Sequence, residues 1–108
     1  MNFRNMDSYI QIINQLVEIR QKIKQEKLEE KFERNFNRIF SIMEDEGYIC
    51  QYPLGEKYAE TRTDYEANII GKETRNMVIT QVIKPVIYKK NPEGLTLVQK
   101  GIVMVENS

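Results

Sequence analysis

Residues 77–105 read Met77-Val-Ile-Thr-Gln-Val-Ile-Lys-Pro-Val-Ile-Tyr-Lys-Lys-Asn-Pro-Glu-Gly-Leu-Thr-Leu-Val-Gln-Lys-Gly-Ile-Val-Met-Val105 and hold two runs rich in Val, Ile and Leu. Between the runs, Asn91-Pro-Glu-Gly94 supplies the residues that a type I turn favours. The pattern predicts a β-hairpin. Pro85 cannot donate to a ladder, so the first strand should be an edge there or carry a bulge. Apolar residues on both faces indicate a small sandwich or barrel, or a sheet with one face given to a partner.

The segment before this hairpin contains short apolar runs separated by turn-forming residues, a pattern typical of short strands. Tyr48-Ile-Cys-Gln-Tyr52 and Tyr65-Glu-Ala-Asn-Ile-Ile70 can form strands. Every glycine and proline of the chain lies at or after Gly47. We therefore predict that residues 47–108 form a small β domain.

Residues 1–46 contain no helix breaker and are dense in straight-chain residues that favour a helix. Ser8 and Gln11 fit a capping box, with Asp7 as an alternative N-cap, and Gly47 can close the helix in the left-handed conformation. The sequence predicts one helix from about residue 8 to residue 46, roughly 58 Å long. A helix of that length is too long for the small β domain to cover, so another partner must cover it.

Two apolar seams along this helix follow the three- and four-residue spacing of a coiled coil. The charged stretch 24–31 separates them and offers only Leu28, so the seams do not share one heptad frame. Both seams predict a homodimer; the alternative is an amphipathic helix lying on its own domain. The predicted dimerisation residues are Tyr9, Ile12, Ile13, Leu16, Ile19, Ile23, Phe32, Phe36, Ile39 and Met43.

Charge and composition bear on the partner and the compartment. The chain has 16 basic and 16 acidic residues, so it lacks the basic surplus that nucleic acid or an acidic membrane attracts. No apolar run approaches membrane-spanning length, and the N-terminus has no signal-like apolar core. The single Cys50 cannot make an internal disulfide. We expect a cytoplasmic protein that binds neither nucleic acid nor membrane.

A catalytic constellation cannot be assembled from the sequence. The chain has no histidine, which removes Ser-His and Cys-His pairs. Cys50 follows an acidic turn, which should raise the pKa of its thiol and favours a structural role. Asp64 and Glu66 would share a strand face, where paired carboxylates can do acid–base work or hold a cation. Solvated strand carboxylates are the simpler interpretation, and we predict no catalytic residue, no metal and no cofactor.

From about residue 40 onward the chain resembles the C-terminal β domain of the GrpE family, the nucleotide exchange factors of DnaK-type chaperones. Phe40-Ser-Ile-Met43 leads to Gly47, and Gly55-Glu-Lys-Tyr58 stands for the family's Gly-Glu-x-Phe motif. Tyr65-Glu-Ala67 stands for its His-Glu-Ala, and residues 96–105 resemble its final Val-rich strand. The order of elements agrees as well, with a long dimerising helix first and the β domain last.

The sequence also departs from the family pattern. Pro85-Val-Ile87 replaces the family's Lys-Gly-Tyr, and Thr96 and Gln99 replace arginines that lie on or near the chaperone-facing surface in the family. Gly55 and Gly101 are expected to serve backbone geometry and close packing.

The resemblance implies an α+β homodimer in which a long coiled-coil-like helix (1–46) precedes a small all-β, GrpE-like domain (47–108). The implied function is that of a co-chaperone that binds the nucleotide-binding domain of a DnaK-type ATPase and speeds ADP release. The alternative is a non-enzymatic coiled-coil assembly subunit that binds a partner through its β edge. A third hypothesis is an enzyme that uses Asp64 and Glu66. The predicted partner-binding residues are Tyr58, Glu66, Val86, Gln99 and Lys100.

Overall fold

The computed structural model describes residues 7–71 and 75–107. Within them, two helices precede six strands: α1 (Ser8–Gln25), α2 (Glu29–Asp45), β1 (Tyr48–Gln51), β2 (Tyr65–Ile70), β3 (Met77–Lys84), β4 (Val86–Asn91), β5 (Gly94–Gln99) and β6 (Gly101–Asn107). The strands form two three-stranded sheets with the orders β1-β4-β5 and β2-β6-β3. Paired strands are antiparallel except β2 and β6, which are parallel. The fold is mixed α+β.

The predicted single long helix is wrong, and so is the coiled-coil-like dimerisation helix built on it. α1 ends at Gln25 and α2 begins at Glu29, so each is less than half as long as the expected helix. The first part of the predicted helical domain, residues 1–6, lies outside the described residues.

The break between the helices is a left-handed turn at Lys27, whose φ is 61°. The Lys27 N–H donates to the Lys24 carbonyl at 2.9 Å, and the Leu28 N–H donates to the Ile23 carbonyl at 3.1 Å. These two bonds form the Schellman arrangement that closes many helices, usually with glycine at the left-handed position. Because a lysine holds that position here, no glycine or proline in the sequence marks the break.

The outer ends of the helices lie where the sequence predicted them. The Asp7 carboxylate accepts a hydrogen bond from the Tyr9 N–H at 2.8 Å, so Asp7 rather than Ser8 is the N-cap of α1. α2 ends at Asp45, and Gly47 follows with a φ of 97°. That positive φ is the reason for a glycine at the end of this helix.

The predicted hairpin is confirmed at its turn, but each of its long strands is divided. Asn91 and Gly94 pair at the tip between β4 and β5. The first strand breaks at Pro85 into β3 and β4, and the second breaks at Lys100 into β5 and β6. β4 and β5 belong to one sheet, whereas β3 and β6 belong to the other. The two divided strands of the hairpin, which we call the ribbon, thus pass from one sheet to the other. Because each half of a strand buries a different face, neither run alternates cleanly between polar and apolar residues.

The ribbon approaches its neighbours very closely at the start of β6. A Cβ added at Gly101 would lie 2.8 Å from Cγ2 of Val86 and 3.2 Å from Cβ of Tyr65. The expected role of Gly101 in close packing is therefore confirmed. Gly55 has a φ of 85°, which agrees with its expected role in backbone geometry.

One hydrophobic core, which we call the strand core, lies among β2, β3, β4 and β6. Its buried members are Tyr65, Met77, Ile79, Val82, Val86, Val103 and Val105. They come from one continuous part of the chain, and most are Val or Ile, which fit a pleated and buried strand.

A second core, which we call the helix core, joins the two helices to the sheet β1-β4-β5. Its buried members are Ile10, Ile13, Val17, Met43, Tyr48 and Ile87. The helices therefore lie on a sheet of their own chain, as the alternative interpretation of the apolar seams proposed. The described residues after α2 hold strands and no helix, but one of their sheets completes its core with residues from α1 and α2. The division into a domain 1–46 and a domain 47–108, and the GrpE-like character of the second, stay predictions.

Candidate docking surface on strand β5

The predicted dimerisation residues are divided between the interior and the surface. Ile13, Phe36 and Met43 are buried. Leu16, Ile23 and Ile39 are half-buried. Tyr9, Ile12, Ile19 and Phe32 are exposed. Successive helix residues lie about 100° apart around the axis, so Ile12 and Ile13 cannot both face the same partner.

The predicted partner-binding residues are also divided. Glu66 and Lys100 are exposed and form an ion pair with 3.8 Å between the carboxylate and the ammonium nitrogen. Tyr58 is half-buried, with its ring 6.2 Å from that of Tyr65. Val86 is 0% exposed and Gln99 is 9% exposed. Two of these five residues therefore face the interior and are not available to a partner in this conformation.

The most exposed apolar strand of the described chain is β5. It pairs with β4 on one side only and forms an edge of the sheet β1-β4-β5. Its apolar side chains are uncovered, with exposures of 55% for Leu95, 40% for Leu97 and 37% for Val98. An edge strand presents unpaired N–H and C=O groups, and proteins usually shield such an edge with charge or proline. An apolar edge strand without that shielding is typical of a docking site.

Gln99 fixes the C-terminal end of β5. Its Nε2 donates to Oδ1 of Asn14 at 2.7 Å and to the carbonyl of Pro85 at 3.0 Å. Nδ2 of Asn14 donates in return to Oε1 of Gln99 at 2.9 Å. One side chain thus ties β5 to α1 and to the junction of β3 and β4. Because Gln99 is buried and fully hydrogen-bonded, replacing it should cost stability and should loosen the strand.

The turn and a bulge shape the rest of the β5 edge. At the tip, the Glu93 N–H donates to Oδ1 of Asn91 at 3.2 Å, and Nδ2 of Asn91 donates to the hydroxyl of Thr96. The pairing of β4 and β5 shifts register between Ile87 and Tyr88. A bulge of this kind turns side chains that would otherwise point to the opposite face. β5 is exposed at every residue from Gly94 to Val98, so both faces of this strand are open.

The two carboxylates considered for catalysis have separate partners. Asp64 accepts hydrogen bonds from Nη2 of Arg62 at 2.7 Å and from the Tyr88 hydroxyl at 2.8 Å. The bond from Arg62 holds the pKa of Asp64 below its ordinary value, whereas Glu66 pairs with Lys100. Asp64 is therefore committed to a structural network that joins the loop before β2 to β4. Within residues 7–71 and 75–107, no group of three His, Cys, Asp or Glu side chains is placed to hold a metal ion.

Arg20 occupies the space between the helices and β1. Its guanidinium carbon lies 5.4 Å from the ring centre of Tyr52 and 5.9 Å from those of Phe36 and Phe40. Favourable cation–π contacts have this geometry. A cleft of about 240 Å³ opens beside it and is lined by Arg20, Ile23, Lys24, Glu29, Glu30, Glu33, Phe36 and Tyr52. Both charge signs line this cleft, so its chemistry selects no ligand class.

Burial raises the pKa of the nearby Cys50 thiol to about 12. A thiol with so high a pKa is almost entirely protonated at neutral pH, and the protonated form is a poor nucleophile. Cys50 therefore agrees with the structural role expected from its sequence context. Arg20 and Asn14 were not predicted as site residues, and Gln99 was predicted to bind a partner rather than to pair with Asn14, because a single polar residue among apolar ones carries no signal of its burial.

Comparisons of the chain with protein-family models, with curated proteins and with solved structures found no match. Of the helices in the described ranges, neither has the length and apolar character needed to cross a membrane.

Proposed function

We propose that this chain is a non-enzymatic assembly subunit that adds strand β5 to the sheet of a partner protein. The observation that carries this proposal is an uncovered edge strand whose exposed side chains are Leu95, Leu97 and Val98. An extended segment of the partner would pair with β5 and extend the sheet β1-β4-β5 by one strand. In this mode of recognition the main-chain hydrogen bonds supply affinity, and the alternate side chains supply specificity.

The fixed position of β5 favours this mode over folding on binding. The strand is held by β4 along its length and by Gln99 at its end. A preformed edge loses little conformational entropy when the partner binds, so more of the contact energy appears as affinity. The exposed Lys90 on β4, which pairs with Leu95, adds positive charge beside the edge, which favours a partner strand that carries acidic residues.

The test compares three forms of the full chain, expressed with a small affinity tag in the cell that normally makes it. The wild type should co-purify with a defined partner in a stoichiometric complex. Leu97→Lys puts a charge on the edge and should remove that partner, while the folded state is kept because Leu97 is already exposed. Ile70→Lys is the matched control, since Ile70 is 44% exposed on β2, in the other sheet; it should keep the partner.

Three outcomes would contradict the proposal. The partner could stay bound to Leu97→Lys, it could be lost equally from Ile70→Lys, or the bound species could be a nucleic acid rather than a protein. Hydrogen exchange of the complex gives an independent readout, because a strand added at the edge should protect amide groups of β5 and leave those of β2 unchanged.

Exchange-factor activity on a DnaK-type ATPase stays a prediction and is the second candidate. Exposed Glu66 and Lys100, both predicted contacts, lie together as an ion pair and could form part of a chaperone-facing surface. Release of a fluorescent ADP analogue from the cognate chaperone tests it: saturable acceleration that Glu66→Lys abolishes would support it, and unchanged release would reject it. The expected cytoplasmic location also stays a prediction, which fluorescence microscopy of the tagged chain would test.

A further inference from the structure

A second apolar surface lies on the two helices, away from strand β5. Its exposed members are Ile12 and Ile19 of α1 and Phe32 and Ile42 of α2. Ile12 and Ile42 are each 50% exposed, and Ile19 is 46% exposed. We call this set the helix groove.

The contacts of α1 show which of its sides faces α2. Asn14 bonds to the end of β5, and Gln21 donates to a backbone carbonyl of β3, so these two residues mark the side away from α2. Ile12 and Ile19 each precede one of them by two positions, which turns them by about 200° around the helix axis. They face the same way as Ile23, which lines a cleft together with residues of α2. The apolar rim of α1 therefore faces α2.

The apolar rim of α2 faces α1 in the same way. Asn37 and Glu44 line a cleft beside Cys50 of β1, so they mark the side of α2 that lies over that strand. Ile42 is two residues from Glu44, which turns it by about 160° from that side. Phe32 is five residues from Asn37, which turns it by about 140°. The exposed apolar side chains of the two helices thus border one groove.

A row of three cations borders this groove on α2. Lys31, Arg34 and Arg38 are spaced by three and four residues, so they lie along one face of the helix. Arg38 precedes Ile42 by one turn, which places the row directly beside the groove. All three cations are exposed, and none takes part in an ion pair in the part of the chain that the structure describes.

Acidic residues do not balance this row. Asp45 shares the face of the row at the end of α2. The other acidic residues of α2 line clefts on its other side: Glu29, Glu30, Glu33 and Glu44. On the α1 side of the groove, exposed Lys22 and Glu26 lie one turn apart, and their charges offset each other. The borders of the groove therefore carry a net positive charge, which α2 supplies.

We propose that the helix groove binds an amphipathic helix of another protein, with acidic residues of that helix facing Lys31, Arg34 and Arg38. The bound helix would bury its apolar stripe on the groove and add a third helix to the layer. From Phe32 to Ile42 the groove is about 15 Å long, which corresponds to about three turns of a helix. This surface is separate from β5, so its failure would leave the proposed strand addition unaffected.

The shape and charge of the groove favour this occupant over a second copy and over a membrane. A second copy that docked through its own α2 would bring one basic row against another, and like charges oppose binding. A flat anionic membrane would meet the polar outer faces of both helices, which include Glu26 and Asp45, before it filled the groove. A helix fits between these faces and contacts the apolar residues directly.

Fluorescence anisotropy of a labelled synthetic peptide tests the proposal with the full chain. The probe is a helix-forming peptide of about three heptads, with Leu at positions a and d and Glu at positions e and g. It should bind the wild type saturably, whereas the same peptide with Lys at e and g should bind about tenfold more weakly. Ile42→Asp should raise the Kd of the acidic peptide about tenfold, because it puts a charge in the groove. Ile70→Asp is the control for an exposed apolar residue outside the groove and should leave this Kd unchanged.

Charge reversal gives a result that unfolding cannot produce. Arg34→Glu/Arg38→Glu should exchange the preference, so that the chain binds the basic peptide more tightly than the acidic one. Lys57→Glu/Lys84→Glu makes the same change in net charge at exposed residues outside the helices and should keep the wild-type preference. Circular dichroism should be unchanged in both double variants.

Five outcomes would overturn the proposal. The acidic peptide could fail to bind, both peptides could bind equally, or Arg34→Glu/Arg38→Glu could keep the wild-type preference. Binding of the chain to vesicles of phosphatidylcholine and phosphatidylserine, lost in Ile42→Asp, would assign the groove to a membrane. A dimer in sedimentation velocity that Ile42→Asp dissociates would assign it to a second copy.

Discussion

The strand core and the helix core hold similar numbers of buried side chains but are assembled differently. The strand core draws all its buried members from residues 65–105. The helix core brings Ile10, Ile13 and Val17 of α1 against Met43, Tyr48 and Ile87. Its border carries the polar contacts of α1, such as Asn14 with Gln99 and Asp7 with Tyr48. The difference shows that the strand core is supplied by the apolar runs of neighbouring strands. In the helix core, polar side chains also help to position the helices over the sheet.

The largest effect is expected from truncating one isoleucine in each core. Ile13 is 0% exposed and Ile79 is 1% exposed, so Ile13→Ala and Ile79→Ala should each lower the free energy of unfolding by about 2–5 kcal/mol. Urea unfolding should be followed by circular dichroism at the helix band and by tyrosine fluorescence. We expect both signals to shift together in both variants, because Tyr52 packs against both cores. A helix signal that shifts alone in Ile13→Ala would show that the cores unfold separately.

A smaller loss is expected where the strand core is most tightly packed. Gly101→Ala would place a methyl group 2.8 Å from Cγ2 of Val86, and overpacking of this kind costs about 1–3 kcal/mol of stability. Val86→Ala removes the clashing group, so its own cost should be smaller in the Gly101→Ala background than in the wild type. A thermal-unfolding double-mutant cycle measures this coupling, and additive losses would contradict it.

A gain in stability is expected on the helix side. Lys27 has a φ of 61°, a conformation that costs an L-residue roughly 1–2 kcal/mol relative to glycine. Lys27→Gly should therefore raise the free energy of unfolding by about 1 kcal/mol, reduced by the greater freedom of glycine in the unfolded chain. Glu26→Gly is the matched control because Glu26 has a φ of −89°. An equal change in both variants in urea unfolding would remove the left-handed turn as the cause.

The smallest effect concerns two carboxylates, one beside each core. The bond from Arg62 lowers the pKa of Asp64, and the bond from the Tyr48 hydroxyl lowers the pKa of Asp7. A lowered pKa means that the stabilisation is present above the ordinary carboxylate pKa of about 4 and is lost as the pH falls through the folded-state value. The melting temperature should therefore fall less steeply with acidification in Asp64→Asn and in Asp7→Asn than in the wild type.

These two variants also show which of the two carboxylates contributes more to stability in acid. Asp64 has an arginine partner and a tyrosine partner, whereas Asp7 is exposed at the start of α1. We expect Asp64→Asn to change the pH dependence of the melting temperature more than Asp7→Asn does. The reverse order would show that the N-terminus of α1 contributes more to acid stability than the Arg62–Asp64–Tyr88 network.

Structural features that depend on a few neighbouring residues could be predicted from the sequence, whereas features that depend on contacts between distant residues could not. The turn at Asn91–Gly94 and the closure of α2 at Gly47 were predicted because each rests on the conformational preference of a few neighbouring residues. The break at Lys27 was not predicted, because lysine has no preference for a left-handed conformation. The apolar pattern of α1 fitted a partner helix as well as a sheet. Only the three-dimensional arrangement shows that Ile13 packs against Ile87 in the same core.

The sequence predicted that an exposed edge strand exists but not that β5 is that strand. The hairpin pattern indicated that some strand would be an edge, and binding through a β edge was one of the two functions predicted from the sequence. Which strand lies at the edge depends on the passage of the ribbon from one sheet to the other at Pro85 and Lys100, which periodicity does not reveal. Val86 and Gln99 were predicted to bind a partner because they lie in the hairpin that resembles the family's β domain, although both are buried in the structure.

The parallel pairing of β2 with β6 sets the order in which the chain can acquire its structure. β4 and β5 are joined by a tight turn, so they can meet within microseconds of collapse, on the order of other hairpins. β2 pairs with β6 from Tyr65 opposite Gly101 to Ile70 opposite Glu106, so all the intervening residues must close as a loop before this contact forms. Loop closure of that size slows folding. During synthesis on the ribosome β2 must wait for β6 to emerge, and a nascent chain that still lacks β6 has an unpaired β2.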